Sequence, residues 1–136
     1  MPEALYPWIH ISGRVLFSMI FIMMGMTHFL KLNDMAGYAQ TKGVPAPKVA
    51  TVVTGIMILA GGLMVLLGWR RFIGAGLLAI FLIPNAFLMH AFWNENDPMA
   101  KMNEMGHFMK DLALAGAALF VAYHASYAWP MALAGP

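Results

Sequence analysis

Four long apolar stretches constrain the fold of this chain more than any other feature of its sequence. They cover about residues 9–30, 49–68, 72–93 and 112–129. Because an α-helix rises ~1.5 Å per residue, each stretch can cross a hydrocarbon core of ~30 Å. The basic side chains within the stretches are His10, Arg14, His28, His90 and His124, and none of the stretches holds an acid. The sequence therefore predicts an all-α integral membrane protein with four membrane-spanning helices.

The composition excludes a soluble fold and several classes of function. Of the 136 residues, 61% are hydrophobic and 10% are charged, whereas about 25% of a soluble domain is charged. The connections are of loop length, so we expect a single membrane domain over residues 1–136. A net charge of +2 is too small to predict a nucleic-acid partner. The chain has no cysteine, which excludes disulfides and thiol catalysis.

The connections between the spans predict an up-down-up-down four-helix bundle. Residues 68–71 form so short a link that the second and third helices must be antiparallel neighbours, and the link opens with a helix-ending glycine. The first connection, residues 31–48, has room for a short interfacial helix over residues 35–40. In the polar third connection, residues 94–111, a helix could already begin near residue 99 and continue into the fourth span.

The orientation in the membrane follows less clearly from the sequence. An even number of spans places both termini on one side. The loop side has five Lys or Arg residues near the spans and the terminal side has three, but the Arg70-Arg71 turn is the most concentrated basic feature, so we expect the termini in the cytoplasm. The N-terminal segment lacks the basic start and the cleavage site of a signal peptide, so we expect the first span to be retained.

Small residues predict where the helices approach one another closely. In lipid, close backbone packing replaces the hydrophobic drive that holds soluble bundles together. The small residues with suitable spacing or clustering are Gly55, Gly61, Gly62, Ala75, Ala79, Ala113 and Ala117. We therefore expect these positions to lie at contacts between helices.

One stripe of the first helix is polar or small at most positions. Arg14, Ser18, Phe21, Gly25 and His28 follow a 4-3-4-3 spacing, which places them on one face. Two interpretations remain open. The stripe faces the interior of the bundle, where ionisable groups in a membrane usually lie, or Arg14 and His28 reach the two interfaces.

The third helix carries an amide in the middle of its span. Asn85 follows Pro84 and needs a hydrogen-bonding partner, because an unsatisfied amide in lipid costs roughly 2–7 kcal/mol. The amide either joins helices or forms part of a polar pocket for a quinone carbonyl, together with His90. His28 and His90 adjoin the same membrane face and could ligate a haem, but a pair of histidines alone does not predict one, and we expect no haem.

The segment before the fourth span holds the richest set of polar side chains. Glu104, His107 and Asp111 share one helical face, with Lys110 between them. A single Glu-x-x-His resembles half of a di-iron motif, but a second motif is missing, so we predict a solvated helix start with a His107–Asp111 pair. The methionines do not form a regular repeat either, and we expect no metal site.

The motifs along the chain resemble those of the DoxX family of small four-helix membrane proteins. They are Gly13-Arg14, Met24-Gly25, His28-Phe29, Gly43-Val44-Pro45, Gly61-Gly62, the segment 90–93 and Lys110-Asp111. The order and spacing of these motifs carry the resemblance. It implies a multi-pass protein of the bacterial inner membrane. One relative in the family belongs to an archaeal thiosulfate:quinone oxidoreductase, and others belong to oxidative-stress assemblies, but the resemblance implies no catalytic residues.

We expect a small integral subunit or accessory partner of a redox or respiratory membrane complex, without catalysis of its own. The alternative is a quinone-interacting subunit of an oxidoreductase. The expected partners are the lipid bilayer and other subunits of the complex. The candidate ligand-binding residues are Arg14, His28, Asn85, His90, His107 and Lys110.

Overall fold

The computed structural model describes residues 3–134, and all of its regular structure is helical. The two residues at each end of the predicted domain lie outside the described residues. The α-helices are α1 (Tyr6–Leu30), α2 (Leu32–Thr41), α3 (Pro47–Leu67), α4 (Arg71–Met89) and α5 (Pro98–Tyr123). Short 3-10 segments cover Glu3–Leu5, Phe92–Asn94 and His124–Ser126.

Four of these helices form the predicted membrane bundle. The helices α1, α3, α4 and α5 are long and apolar enough to span a bilayer. Neighbours pack in chain order: α1 lies against α3, α3 against α4, and α4 against α5. The short helix α2 packs on α3 through Ala36 and Ala39, which are buried. The prediction of a four-helix bundle with a short helix in the first connection is therefore confirmed.

The helix ends have local causes. Asp97 accepts a hydrogen bond from the backbone N–H of Ala100 at 2.8 Å and caps the start of α5, where Pro98 has no N–H to leave unsatisfied. Gly68 ends α3 with a φ of 67°, a left-handed conformation that costs glycine little. The tight link to α4 then forms as the sequence predicts.

Two predicted span ends lie beyond the α-helices that form these spans. α4 ends at Met89, but the 3-10 segment Phe92–Asn94 follows it, and the apolar span over Arg71–Asn94 agrees with the predicted end near residue 93. The fourth span was expected over residues 112–129, but α5 ends at Tyr123, and the indole N–H of Trp129 turns back to donate to the carbonyl of His124 at 3.0 Å. As expected, the polar residues before the fourth span are already helical.

The glycines of α3 lie where the helices approach most closely. A Cβ built on Gly61 would lie 2.9 Å from the carbonyl oxygen of Gly74, and one built on Gly74 would lie 3.1 Å from the carbonyl oxygen of Gly61. Gly62 faces the side chain of Phe21, and Gly55 faces that of His28. The predicted contacts at these α3 glycines are confirmed.

The prediction for the small residues of α5 is wrong for Ala113, whereas Ala117 is half-buried. Ala113 is exposed, whereas Ala115 and Ala118 are buried. The buried face of α5 continues from Asp111 at intervals of four and three residues, which is the helical repeat. Since this face packs on α4, Ala113 points away from the bundle.

The polar stripe of α1 faces inward. Its five members are the buried residues of this helix: Arg14, Ser18, Phe21, Gly25 and His28. This burial confirms the first of the two interpretations. The stripe packs beside a core that is built from Ile58 and Val65 of α3 and Leu78 and Leu82 of α4.

Candidate ligand-binding site

A cavity of about 470 Å³ opens among the helices at the end of the bundle that carries the first and third connections. We call it the loop-side cavity. Its apolar lining includes Met24, Met57, Ile80, Phe81 and Leu88. Its polar lining consists of His28, Tyr38, Thr51, Thr54, Asn85, His90, His107 and Lys110. The cavity thus joins an apolar body to a set of hydrogen-bonding groups.

The amide of Asn85 finds its partner on α5. Its Nδ2 donates to Oδ2 of Asp111 at 2.8 Å, and Asp111 is only 4% exposed. The prediction of a solvated helix start with a His107–Asp111 pair is wrong for this carboxylate. The reason is that α5 begins at Pro98, which places Asp111 more than three turns inside the helix, where it packs against α4.

The imidazole of His90 lies between two carboxylates. Its Nδ1 donates to Oε2 of Glu104 at 2.7 Å, and its Nε2 lies 3.8 Å from Oδ2 of Asp111. The ring also stacks on that of His107, with centroids 5.0 Å apart. His90 reaches these groups because it directly follows the last residue of α4 and its backbone is no longer helical.

Glu104 also joins α5 to the first connection. The phenol of Tyr38 donates to its Oε1 at 3.0 Å, and the ammonium of Lys42 lies 3.5 Å from the same oxygen. Lys42 forms a second ion pair with Glu95 at 3.2 Å. These contacts connect the end of α2 to the third connection beside the cavity. Sequence reasoning missed Tyr38 and Lys42, although the topology places both connections on one membrane face.

The two residues of the first connection have perturbed pKa values. Burial, together with the hydrogen bond to Glu104, raises the pKa of Tyr38. Burial opposes the charged form of Lys42, but the hydrogen bond to Glu95 and the nearby negative charges outweigh it, so the pKa of Lys42 is also raised. Both groups therefore hold their protons more firmly in the folded protein.

Hydrogen bonds assign the roles of two cavity histidines. Nδ1 of His28 lies 2.8 Å from the carbonyl oxygen of Met24, which can only accept, so neutral His28 keeps Nε2 as an acceptor. Nδ1 of His107 lies 3.3 Å from the ammonium of Lys110, which can only donate, so neutral His107 carries its proton on Nε2. The lining therefore offers an acceptor on α1 and donors on α5.

Five of the six predicted ligand-binding residues line the loop-side cavity, and Arg14 does not. Arg14 donates to the carbonyl oxygens of Pro130 at 2.8 Å and Met131 at 3.3 Å. It stands 14 residues from His28 on one helix, which is about 21 Å along the axis. The prediction of one pocket that combines Arg14 with His28, Asn85 and His90 is therefore wrong. Within residues 3–134, no three His, Cys, Asp or Glu side chains are grouped to hold a metal ion.

Comparisons with known proteins agree with the architecture. A family model described as DoxX matches residues 10–91, which is more than half of the chain. The inner membrane protein YphA of Escherichia coli (strain K12) is 24% identical over 116 residues, which cover 85% of this chain and 82% of that protein. No solved structure matches the chain. The family match covers His28, Asn85 and His90 but ends before α5.

Proposed function

The chain belongs to the DoxX family, and we propose that this multi-pass membrane protein is a small quinone-binding subunit of a redox membrane complex, without catalysis of its own. The observation that carries the proposal is the loop-side cavity, which combines an apolar body with hydrogen-bonding groups on one side. A lipid-soluble ring with polar substituents has the same two-part character. The cytoplasmic position of the termini remains part of this proposal.

The apolar part of the cavity suits a flat ring and the start of an isoprenoid tail. Its volume of about 470 Å³ is in the range of pockets that hold small organic ligands. The flexible thioethers of Met24 and Met57 and the ring of Phe81 can pack against a ring of several shapes. A ligand that carries a long apolar tail can leave the tail between the helices and in the bilayer.

The polar part of the cavity suits both states of a quinone. The oxidised form presents carbonyl oxygens, which accept from the ammonium of Lys110 or from Nε2–H of His107. The reduced form presents hydroxyl groups, which donate to Nε2 of His28. Binding both forms is what a subunit needs if it holds a quinone while another protein exchanges electrons with it.

The role as a subunit has a separate observation in its favour. On the outward face of α5, Ala113 is exposed, and a Cβ built on Gly116 would meet nothing within 4 Å. Small residues on an unoccupied face let another membrane helix approach closely. In this proposal the partner subunit supplies the electrons that the quinone exchanges.

Lys110 provides the test of quinone binding. The purified protein in neutral detergent is titrated with a short-tailed benzoquinone, and binding is measured by calorimetry. We expect Lys110→Met to weaken binding about tenfold, which is the effect of losing one hydrogen bond from a charged donor. The matched control is Lys101→Met, because Lys101 is exposed on the same helix and lies outside the cavity lining.

Two outcomes would contradict the proposal. Equal quinone affinities for Lys110→Met, Lys101→Met and the unaltered protein would show that the quinone does not bind in the loop-side cavity. If the purified protein alone reduced a quinone with a soluble reductant, it would be an enzyme by itself, contrary to the proposal.

A further inference from the structure

A groove lies at the opposite end of the bundle, where α4 begins and α5 ends. We call it the arginine groove. It has a volume of about 610 Å³ and is open to the surroundings. Its lining consists of Arg70, Arg71, Phe72 and Ile73 on one side and Ala122, Tyr123, Ala125 and Ser126 on the other. It shares no lining residue with the loop-side cavity.

Arg71 also lines this groove, but its guanidinium is buried against Trp129, which is not part of the lining, and it has no counter-charge among residues 3–134. Arg71 is 3% exposed, and neither of its terminal nitrogens has a hydrogen-bond partner among residues 3–134. Its carbon Cζ lies 4.8 Å from the ring centre of Trp129, and that of Arg14 lies 5.7 Å from the same centre. Within the described residues, the ion pairs all involve lysine or histidine, and none involves an arginine. Burial of two such charges without an anion is costly.

The start of α4 adds a second source of positive potential. Arg70 precedes the first turn with a φ of 48°, and no side chain caps the helix start. The first N–H groups of a helix lack intrahelical partners, and the helix dipole favours an anion beside them. These N–H groups belong to the residues that line the groove. The start of α4 and the exposed guanidinium of Arg70 therefore meet in the groove, and the buried charge of Arg71 lies close by, against Trp129.

From this arrangement we infer that the arginine groove binds the phosphodiester of an anionic phospholipid. The N–H groups at the start of α4 and the guanidinium of Arg70 supply donors for the phosphate oxygens, and the buried charge of Arg71 adds positive potential. Phe72 and Ile73 are 69% and 47% exposed and continue along α4, which offers an apolar path for the acyl chains. Trp69 and Tyr123 are exposed at the same end, as expected at the level of the headgroups. Basic pockets between membrane helices suit such lipids. The inference is independent of the proposed quinone site.

The test compares lipids and variants in the whole protein. Binding of phosphatidylglycerol, phosphatidylcholine and inorganic phosphate to the protein in neutral detergent is measured by native mass spectrometry. We expect phosphatidylglycerol to bind in preference to the other two. Arg70→Gln should weaken the first bound phosphatidylglycerol about fivefold, the effect of one basic residue at the headgroup level. Lys48→Gln is the matched control, because Lys48 is an exposed cation at the opposite end of the bundle.

Arg71→Gln should abolish the preference for phosphatidylglycerol. The helix content of Arg71→Gln is checked by circular dichroism. If this variant does not fold, the result for Arg70→Gln decides the question, because Arg70 is an exposed side chain. Equal weakening by Arg70→Gln and Lys48→Gln would show a diffuse attraction and overturn the inference. If inorganic phosphate bound as tightly as phosphatidylglycerol, the groove would be a site for a free anion, and the inference of a lipid ligand would be overturned. A folded Arg71→Gln protein with unchanged lipid affinity would also overturn it.

Discussion

Charged groups are paired at one end of this bundle and unpaired at the other. We call these the loop end, which holds the loop-side cavity, and the arginine end, which holds the arginine groove. At the loop end, Lys42 faces Glu104, and the amide of Asn85 faces Asp111, so the chain supplies partners for its own polar groups. At the other end, Arg71 is buried without an acid among the described residues. A site whose charges are already paired suits an uncharged ligand that forms hydrogen bonds, such as a quinone. A site whose charges are unpaired suits an anion. The comparison thus supports the proposal of a different chemical class of ligand for each end.

The two ends are also closed by different parts of the chain. At the loop end, side chains join α2 to the third connection through Tyr38 and Glu104. At the arginine end, the segment after α5 folds back over the bundle. The backbone N–H of Leu133 donates to the carbonyl of Leu67 at 2.9 Å, and the guanidinium of Arg14 holds the carbonyl of Pro130. Each end can therefore be perturbed separately.

The largest expected effect is the loss of the acid at the loop end. Asp111→Ala leaves the buried amide of Asn85 without its acceptor, and we expect the free energy of unfolding to fall by about 2–4 kcal/mol. Asp34→Ala, which removes an exposed acid of α2, is the control and should change stability by less than about 0.5 kcal/mol. Thermal unfolding in detergent measures both. Equal stability of the two variants would mean that the Asn85–Asp111 contact does not hold the loop end together.

The next effect concerns the close contact between α3 and α4 at Gly74. Gly74→Ala places a Cβ 2.7 Å from the Cβ of Met64 and should destabilise the protein by about 1–3 kcal/mol, because α3 and α4 must separate. In Gly76→Ala the new Cβ meets nothing within 4 Å, so this variant should keep or slightly raise stability. We expect Gly74→Ala to weaken phospholipid binding more than quinone binding, since Gly74 lies in the first turns of α4. The reverse order would contradict the separation of the two ends.

The apolar pattern and the helical repeat allowed the bundle and the close contacts at Gly55, Gly61 and Gly62 to be predicted, and they grouped the stripe of α1 on one face without deciding that this face points inward. These features depend on spacing along one helix or on residue size alone. The partner of Asn85 could not be predicted in this way, because the helical repeat does not show that the face of α5 that carries Asp111 packs against α4. The same limit applies to Arg14 and Arg71, which are far apart in the sequence. Only the folded chain places both beside Trp129.

The smallest expected effect is a loss of stability at alkaline pH that is confined to the loop end. The folded pKa of Lys42 lies above its ordinary value of 10.5, and that of Tyr38 lies above 10.0. Each group binds its proton more firmly in the folded state, so its stabilising contribution is complete below the ordinary pKa and disappears as the pH rises through the folded pKa. Lys42→Met should lower stability by about 0.5–1 kcal/mol near neutral pH.

Unfolding curves between about pH 9 and 11.5 separate the two ends, because arginine stays protonated throughout this range. The stability advantage of the unaltered protein over Lys42→Met should shrink as the pH rises, whereas Lys48→Met, which removes an exposed lysine, should give a curve parallel to that of the unaltered protein. Phospholipid binding at the arginine groove should persist where the loop end has weakened. If the advantage over Lys42→Met did not change with pH, the ion pairs of Lys42 would not stabilise the loop end. If lipid binding failed at the same pH as the loop end, the two ends would not be independent.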